Sequence, residues 1–260
     1  MLLSADIGNS YIKFAVFNEN DEICTSFKLS TSSRRSSDEF YIIIKQFLSD
    51  YNKDITITES VVSSVVPSVN NALISALEML THSRPFIIGS GTHTGFRIKI
   101  YDASELGADF VSNTAGALSK YKPPCIIVAM GTATTFTFIN SDGDVTGTII
   151  HPGLKVCAKA LTSSAALLTD INVAKPKKLI GQNSEESIQS GLINGHICMI
   201  DGIVDRIMKQ NDLSNGGVSL VATGGLSSQV IPFCTHSFEL DPDLTLRGSV
   251  ILYRMNRKRG

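Results

Sequence analysis

The sequence predicts an α/β protein with a duplicated fold, in which two related domains surround a nucleotide cleft. Three observations support this prediction. Apolar segments with the period of strands alternate with amphipathic segments that have the period of helices. A strand, a glycine-centred bend and a second strand occur in Met1 to Phe17, and the same pattern returns in Cys125 to Phe138. The chain has 260 residues, enough for two domains, which we place at residues 1–120 and 121–260.

The bend in Cys125 to Phe138 lies between a buried strand and a returning strand, and it carries no bulky side chain. Gly131 leaves room for a ligand against the main chain, and Thr132, Thr134 and Thr135 supply hydroxyl groups. Such a bend is suited to phosphate, although an ordinary hairpin with a glycine turn has the same local pattern. The repeat favours phosphate, because two such bends can hold one nucleotide. Setting Gly8 on Gly131 places Asp6 on Ala129, Asn9 on Thr132 and Ser10 on Ala133.

The other elements are predicted from apolar periodicity and from capping residues. Ser36 and Glu39 form a capping box that opens the first helix. The later segments are a strand over Ser60 to Val66, a helix marked by Val69 to Leu80, a strand over Phe86 to Ile88, a helix over Glu105 to Ser119 with Ser104 as its N-cap, a strand over Val145 to Ile150, a long helix from Ser184 to about Lys209, a strand over Val218 to Ala222 and a helix over Asp243 to Met255.

Composition and charge exclude several classes of protein. The formal charge of −1 and the lack of a concentrated basic face argue against nucleic acid as a partner, and the basic cluster from Arg254 to Arg259 is interpreted as a solvated tail. The five cysteines lack the paired spacing of a zinc site and indicate reduced thiols in a cytoplasmic protein. We expect no signal peptide and no membrane span, because no apolar segment has the required length.

Three residues are candidates for phosphoryl-transfer chemistry. Asp6, at a strand end beside Gly8, is placed to hold the water shell of Mg²⁺, although a turn aspartate can also bind its own backbone. Lys13 could reach a phosphate, although strand lysines more often lie on a solvated face. Asp109 is the candidate catalytic base, although an aspartate in a first helical turn commonly serves the helix dipole.

A series of four short motifs along the chain, the third of them followed by a G-x-x-x-x-PG pattern, resembles the bacterial type III pantothenate kinases, which belong to the acetate and sugar kinase/Hsc70/actin superfamily. The resemblance runs from about Leu3 to Gly248. It implies a duplicated actin-like (ribonuclease H-like) fold, a homodimer, and transfer of the γ-phosphate of ATP to the terminal hydroxyl of pantothenate. The motifs are DIGNS at Asp6 to Ser10, GAD at Gly107 to Asp109, GTATT at Gly131 to Thr135, G-x-x-x-x-PG at Gly147 to Gly153, and TGG at Thr223 to Gly225.

The resemblance also implies roles for individual residues. Asp109 corresponds to the family's catalytic aspartate, and Asp6 to the residue near Mg²⁺. The ATP contacts correspond to Asp6, Ile7, Gly8, Asn9, Ser10, Lys13, Gly131, Thr132 and Thr134, with Thr223, Gly224 and Gly225 on the adenosine side. The pantothenate contacts correspond to Gly107, Ala108, Asp109 and Phe110, with Tyr101 as a ring wall and Ser184 reaching in from the other subunit.

Three positions depart from the family pattern. Phe110 stands where the family usually has arginine, and Thr137 where an acidic residue is common. Ala129 stands where an aspartate usually helps to hold a monovalent cation, K⁺ or NH₄⁺, so we predict activity that is potassium-independent or impaired. Two alternatives to a pantothenate kinase therefore stay open: a nucleotide-binding or regulatory relative without turnover, and a kinase for another small hydroxyl substrate.

Overall fold

The computed structural model describes residues 1–53, 55–102, 106–164, 176, 178–214 and 217–258. The chain divides into two compact units. Unit 1 consists of Met1–Phe96, Tyr101–Ser119 and Asp243–Gly260, and unit 2 consists of Arg97–Ile100 and Lys120–Pro242. In the described part of the chain, no helix has both the length and the apolar character needed to cross a membrane.

Unit 1 is built on a five-stranded mixed sheet with the order β3-β2-β1-β4-β5. Strand β1 is antiparallel to β2 and parallel to β4, and β5 continues the parallel part. The strands are β1 (Leu2–Ile7), β2 (Tyr11–Phe17), β3 (Ile23–Ser30), β4 (Glu59–Ser64) and β5 (Phe86–Ile87), and the helices are α1 (Ser37–Tyr51), α2 (Pro67–Thr81), α3 (Ala108–Lys120) and α7 (Leu244–Arg257).

Unit 2 is built on a second five-stranded mixed sheet, with the order β8-β7-β6-β9-β10. Strand β6 is antiparallel to β7 and parallel to β9. The strands are β6 (Cys125–Met130), β7 (Ala133–Ile139), β8 (Val145–Pro152), β9 (Ser219–Thr223) and β10 (Glu239–Leu240), and the helices are α4 (Leu154–Ser164), α5 (Ser184–Gln210) and α6 (Ser227–Val230), followed by a short 3-10 helix (Ile231–Phe233).

The two sheets have the same strand order and the same pattern of parallel and antiparallel pairs, which confirms the predicted duplication. The bends differ in length by one residue. In the first bend Gly8 N–H donates to the carbonyl of Tyr11, whereas in the second bend Gly131 N–H donates to the carbonyl of Ala133. The predicted equivalence of Ser10 and Ala133 therefore fails, and beyond the bend the register places Thr135 where unit 1 has Lys13.

Alternation along β1 determines which residues of unit 1 reach the site. Leu3, Ala5 and Ile7 point into a core formed with α1 and α2. Leu2, Ser4 and Asp6 therefore point to the opposite face, where Leu2 packs in a core with side chains of α3 and α7. The Ser4 hydroxyl donates to the carbonyl of Leu246 in α7, at 3.3 Å. Asp6 thus lies on the face of the sheet that α3 covers.

Helices α3 and α7 pack closely because small residues line their contact. A Cβ at Gly116 would lie 2.6 Å from the carbonyl oxygen of Leu244, and a Cβ at Gly248 would overlap the carbonyl of Ser112. The hydroxyl of Thr245 donates to Asn113 Oδ1 at 2.7 Å. This contact fixes the position of α3, whose first turn carries Asp109.

The C-terminal segment differs from the sequence prediction. The predicted boundary near residue 120 agrees with the division at Ser119 and Lys120, but residues from Asp243 onwards belong to unit 1 instead of the second half. Their apolar side chains supply part of the unit 1 core. Arg254 and Arg257 lie in α7 and form ion pairs with Asp21 and Glu59, so they are not a solvated tail.

Most predicted element ends agree with the structure within a few residues. The capping box of α1 is present, with both of its hydrogen bonds. Helix α3 begins at Ala108, later than predicted, and the predicted N-cap Ser104 lies outside the described residues, as does Arg259. The predicted strand Ser60 to Val66 ends earlier, at Ser64, because α2 begins at Pro67.

Candidate active site

Asp6 is the centre of the candidate site in unit 1. In the strand ladder it lies directly opposite Lys13 of β2 and Ser63 of β4. Directly paired residues point to the same face of a sheet, so an ammonium group and a hydroxyl group flank the carboxylate. Asp6 is partly buried, whereas Ser63 is fully buried. The carboxylate is thus held by the sheet and still reachable by a ligand.

Asp109 lies in the first turn of α3, where Phe110 N–H donates to its Oδ1 at 2.8 Å. The carboxylate turns back over the residue that precedes the helix. A Cβ at Gly107 would lie 2.5 Å from Asp109 Oδ1 and 3.0 Å from Val65 Cγ1. A side chain at position 107 would therefore displace the Asp109 carboxylate from this orientation.

Burial raises the pKa of both carboxylates, and Asp109 acts on Asp6 in addition. The pKa of Asp6 is raised from 3.8 to about 7, first by burial and then by the charge of Asp109, while Lys13 and the Ser63 hydroxyl act in the opposite direction. Burial also raises the pKa of Asp109, against the effect of the Phe110 N–H. A pair of carboxylates with raised pKa values, beside a lysine, is typical of a functional site and can favour a bound cation.

The bend of unit 1 is anchored on its inner side and open at its tip. The Thr31 hydroxyl donates to the carbonyl of Gly8 at 2.6 Å, and Thr31 N–H donates to the carbonyl of Ser10 at 3.1 Å. Asn9 and Ser10 are exposed. This arrangement leaves the polar groups at the tip of the bend available to a ligand.

The bend of unit 2 is held by the glycine that follows β8. Gly153 N–H donates to the carbonyl of Thr132 at 2.9 Å, and a Cβ at Gly153 would overlap the backbone of Gly131 and Thr132. Gly131 and Thr132 are themselves exposed. The main chain of this bend is thus held in place by Gly153, whereas its outer surface is exposed to solvent.

Two buried hydroxyl groups lie beside the second bend. Among the described residues, neither Thr134 Oγ1 nor Thr223 Oγ1 has a hydrogen-bond partner, although both side chains are buried. Gly224 follows Thr223 with a φ of +96°, and a Cβ there would overlap the backbone of Met130. Unpaired buried hydroxyls are costly in a folded protein, so their position beside the bend indicates a ligand or ordered water.

The structure brings the predicted residues together within each unit. In unit 1, Asp6, Lys13 and Asp109 form one cluster, and Gly107 orients Asp109. In unit 2, the second bend and the Thr223 to Gly225 segment lie on adjacent strands, β6 and β9. The Tyr101 ring is fully exposed, and Ser184 is an exposed first residue of α5, after the N-cap Asn183.

Sequence reasoning missed two residues of the unit 1 site. Ser63 reaches Asp6 because β4 is parallel to β1 and lies beside it, and Thr31 reaches Gly8 across the bend. The order of strand, helix and strand predicts that β1 and β4 pair in parallel, so the sequence did contain a signal for the position of Ser63. Thr31 follows β3, a strand that was not predicted from the sequence, so no such signal pointed to it.

The donors for a metal ion are few. Among the residues that the structure describes, no three histidine, cysteine, aspartate or glutamate side chains come together as a metal site. Mg²⁺ usually keeps several of its waters and takes only one or two protein carboxylates. Asp6, with Asp109 close to it, fits Mg²⁺ by the oxygen chemistry of its donors, whereas zinc would require nitrogen or sulfur ligands.

Two mixed sheets of identical topology, each with a glycine bend between its first antiparallel strands, form a duplicated actin-like fold. The activator of the 2-hydroxyisocaproyl-CoA dehydratase from Clostridium difficile, solved with bound ADPNP, shares this fold: its TM-score is 0.54 at 12% identity, over 100% of this chain and 97% of that chain.

Comparison with protein families narrows the class. The type III pantothenate kinase family matches residues 2–206. The type III pantothenate kinase of Shouchella clausii is 34% identical over 258 residues, which are 99% of this chain and 100% of that protein. The enzyme of the same name from Geotalea daltonii is 34% identical over 259 residues, with the same coverage. The chain belongs to the type III pantothenate kinase family, which confirms the resemblance and the kinase class.

Proposed function

We propose that this protein transfers the γ-phosphate of ATP to the terminal hydroxyl of pantothenate, the first step toward coenzyme A. The observation that supports this function is the pairing of Asp6 with Asp109 beside Lys13, in a chain of this family. Phosphoryl transfer depends mainly on alignment and charge neutralisation, and these side chains supply a base, a cation-binding carboxylate and a positive charge.

Asp109 acts as the general base. The pantothenate hydroxyl donates a hydrogen bond to the Asp109 carboxylate, and its oxygen attacks the γ-phosphorus. As the new oxygen–phosphorus bond forms, the bond from the γ-phosphorus to the bridging oxygen breaks, ADP leaves with the electron pair, and the proton passes to Asp109. The raised pKa of Asp109 makes it a better proton acceptor than an ordinary aspartate.

Asp6 would hold Mg²⁺ through its oxygens, with Asp109 close enough to lower the energy of the bound state. Mg²⁺, when bound, neutralises charge on the phosphate oxygens. Without a cation, burial and the charge of Asp109 favour the protonated form of Asp6. Lys13 acts to lower the pKa of Asp6, so it makes ionisation of this carboxylate less costly, and it supplies positive charge for a phosphate.

Each unit is proposed to supply phosphate contacts from its own bend. In unit 1 the bend of Gly8, Asn9 and Ser10 after Ile7, with Asn9 and Ser10 exposed, supplies polar donors. In unit 2 the donors come from Gly131, Thr132 and the buried hydroxyl of Thr134, with the adenosine side on Thr223, Gly224 and Gly225. The unpaired hydroxyls of Thr134 and Thr223 support this assignment, because a nucleotide can satisfy them.

Pantothenate contacts Gly107, Ala108, Asp109 and Phe110. The exposed ring of Tyr101 is available to cover it, and Ser184 from a second copy of the chain completes the site. Phe110 offers an apolar ring where a guanidinium group would bind a carboxylate, so binding of the pantothenate carboxylate depends on other groups. This single feature favours a second candidate function, a kinase for another small hydroxyl substrate.

A homodimer would form through α5. Gly191, Gly195, Cys198 and Gly202 recur at helical spacing along one side of this helix, and a Cβ at any of the three glycines would meet no atom within 4 Å. Cys198 is exposed on the same stripe. An open surface of small residues allows close approach of a second helix. We propose that the enzyme works in the cytoplasm as this dimer.

A coupled assay of ADP release tests the proposed function. The wild-type protein, Mg²⁺ and ATP are incubated with pantothenate and, separately, with a panel of small alcohols and sugars, and the phosphorylated product is identified by mass spectrometry. We expect 4′-phosphopantothenate, and we expect Asp109→Asn to lose turnover by about a hundredfold or more while binding ATP. Turnover only with another acceptor would establish the second candidate, and ATP binding without any turnover would contradict both.

A further inference from the structure

Two histidines of unit 2 lie in contact beneath the second bend, and the proposed mechanism uses neither. His151 is near the end of β8, and His196 is buried in the middle of α5. Their ring centroids are 5.5 Å apart with an angle of 87° between the ring planes, an edge-to-face arrangement. Burial holds the pKa of His196 below its usual range, against the effect of the Leu192 and Pro152 carbonyls, and this keeps the ring neutral.

Backbone carbonyls fix the orientation of both rings. His151 Nδ1 is 2.7 Å from the carbonyl oxygen of Pro152, and His196 Nδ1 is 3.0 Å from that of Leu192, one turn earlier in α5. A carbonyl oxygen can only accept, so each Nδ1 carries the proton and donates it. Within the described residues, His196 Nε2 makes no geometrically ideal hydrogen bond, but the Pro152 carbonyl is close enough to act on the pKa of His196, so this buried ring meets both His151 and Pro152.

The carbonyl that His151 holds belongs to the segment that supports the phosphate bend. Pro152 is the ladder partner of Ala133, the last residue of that bend. Gly153, the next residue, donates its N–H to Thr132 and packs directly on the backbone of Gly131. A shift of Pro152 would therefore move the bend, because there is no free space between the two segments.

We infer that His151 and His196 are positioning residues for ATP: α5 holds His196, His196 sets the ring of His151, and His151 holds the Pro152 carbonyl so that the Gly131 to Ala133 bend keeps its shape for the phosphates. The inference rests on the proposed ATP site. It assigns no contact with the nucleotide to either histidine.

The experiment separates the donor of His151 from its bulk. His151→Leu removes the donor at similar volume, whereas His151→Asn keeps an N–H group close to the position of Nδ1. His236→Leu is the control, since the His236 ring belongs to unit 2 but bonds to the Asp205 carboxylate. For each variant we would measure the Kd for ATP by calorimetry, the KM for ATP and for pantothenate, and the melting temperature.

We expect His151→Leu to weaken ATP binding about fivefold, the effect of one lost hydrogen bond, with the KM for pantothenate within about twofold of wild type. His151→Asn should bind ATP nearly as wild type does, and His236→Leu should do the same. His196→Leu should also weaken ATP binding. In the double variant His151→Leu/His196→Leu, the fold-loss of ATP affinity should not exceed the product of the two single losses, and it should be smaller than that product if the two residues act in series.

Two results would overturn the inference. One is ATP binding by His151→Leu within about twofold of wild type, whatever its melting temperature, and the other is an equal loss in His151→Leu and His151→Asn. If His196→Leu does not fold, the His151 variants still decide the matter. Wild-type protein that binds ATP without phosphorylating pantothenate would contradict the proposed function alone, because the binding comparison would remain valid.

Discussion

The carboxylate of Asp6 lies in the electrostatic field of Asp109, although one residue lies near the end of β1 and the other in the first turn of α3. Burial and this repulsion together raise the pKa of Asp6 to about 7, against the attraction of Lys13. A buried acidic pair of this kind costs folding free energy at neutral pH unless a cation binds. The site is therefore adapted to bind a cation, and the stability of the cation-free protein is lower as a result.

Asp6→Asn should be more stable than wild type at high pH in the absence of Mg²⁺. Because the pKa of Asp6 is higher in the folded protein than its ordinary value of 3.8, the stabilising effect of its protonated form is complete below about pH 4 and is lost as the pH rises through about 7. We therefore expect the free energy of unfolding of Asp6→Asn, relative to that of wild type, to increase by about 1–3 kcal/mol from pH 5 to pH 8.

Urea unfolding in a chelating buffer at these two pH values measures the difference, and Mg²⁺ added at pH 8 should stabilise wild type more than Asp6→Asn. A variant whose relative stability does not change with pH would show that Asp6 titrates at its ordinary pKa in the folded protein.

Asp109→Asn should lower the pKa of Asp6. The charge of Asp109 is the second cause of the upward shift at Asp6, after burial, and the amide removes that charge while keeping the shape of the side chain. Carboxyl titration by nuclear magnetic resonance in Mg²⁺-free protein would follow Asp6 in both forms. Asp144→Asn is a suitable control, since Asp144 lies in unit 2 and pairs with Arg97 and Lys99. An unchanged Asp6 titration in Asp109→Asn would contradict the coupling.

The sequence was sufficient to predict the duplicated α/β fold, because the fold is marked by local patterns. Glycine bends between apolar strands mark Gly8 and Gly131, and the GAD motif marks Asp109. The sequence was insufficient where tertiary contacts decide. Ser63 enters the site only through strand pairing, and the C-terminal helix joins unit 1 because its small residue Gly248 fits against α3.

Wild-type turnover should not depend on potassium. Ala129 lies opposite Thr135 and Thr223 in the ladder, so this position offers hydroxyl groups but no carboxylate for a monovalent cation. We expect the rate to stay within about twofold when potassium is replaced by tetramethylammonium, because the lost ligand is the one charged group of such a site. Ala129→Asp should acquire potassium dependence. Strong potassium dependence of the wild-type enzyme would refute the prediction, and low activity in both salts would indicate the impaired alternative.

Gly248→Ala should destabilise the protein, although alanine favours helices. Helix propensity alone would stabilise α7 by about 1 kcal/mol, but the added Cβ overlaps the carbonyl of Ser112 in α3. We expect a net loss of about 2 kcal/mol or more in the free energy of unfolding, since backbone at the contact must shift. Gly89→Ala, where the new Cβ meets no atom within 4 Å, is the control and should be nearly neutral. Equal stability of the two variants in urea unfolding would show that α3 and α7 separate easily.

Gly195→Arg should convert the proposed dimer into a monomer. Position 195 has open space around it in the single chain, so the arginine fits an isolated chain and blocks close approach of a second helix. Analytical ultracentrifugation should show a dimer for wild type and a monomer for the variant, with melting temperature little changed. Pantothenate turnover should fall as well, because Ser184 is proposed to come from the second copy, whereas ATP binding should remain. Gly89→Arg, an exposed change in unit 1, controls for the added charge. A variant that still sediments as a dimer would show that the subunit interface lies elsewhere. A wild-type monomer would show that the proposed interface does not exist.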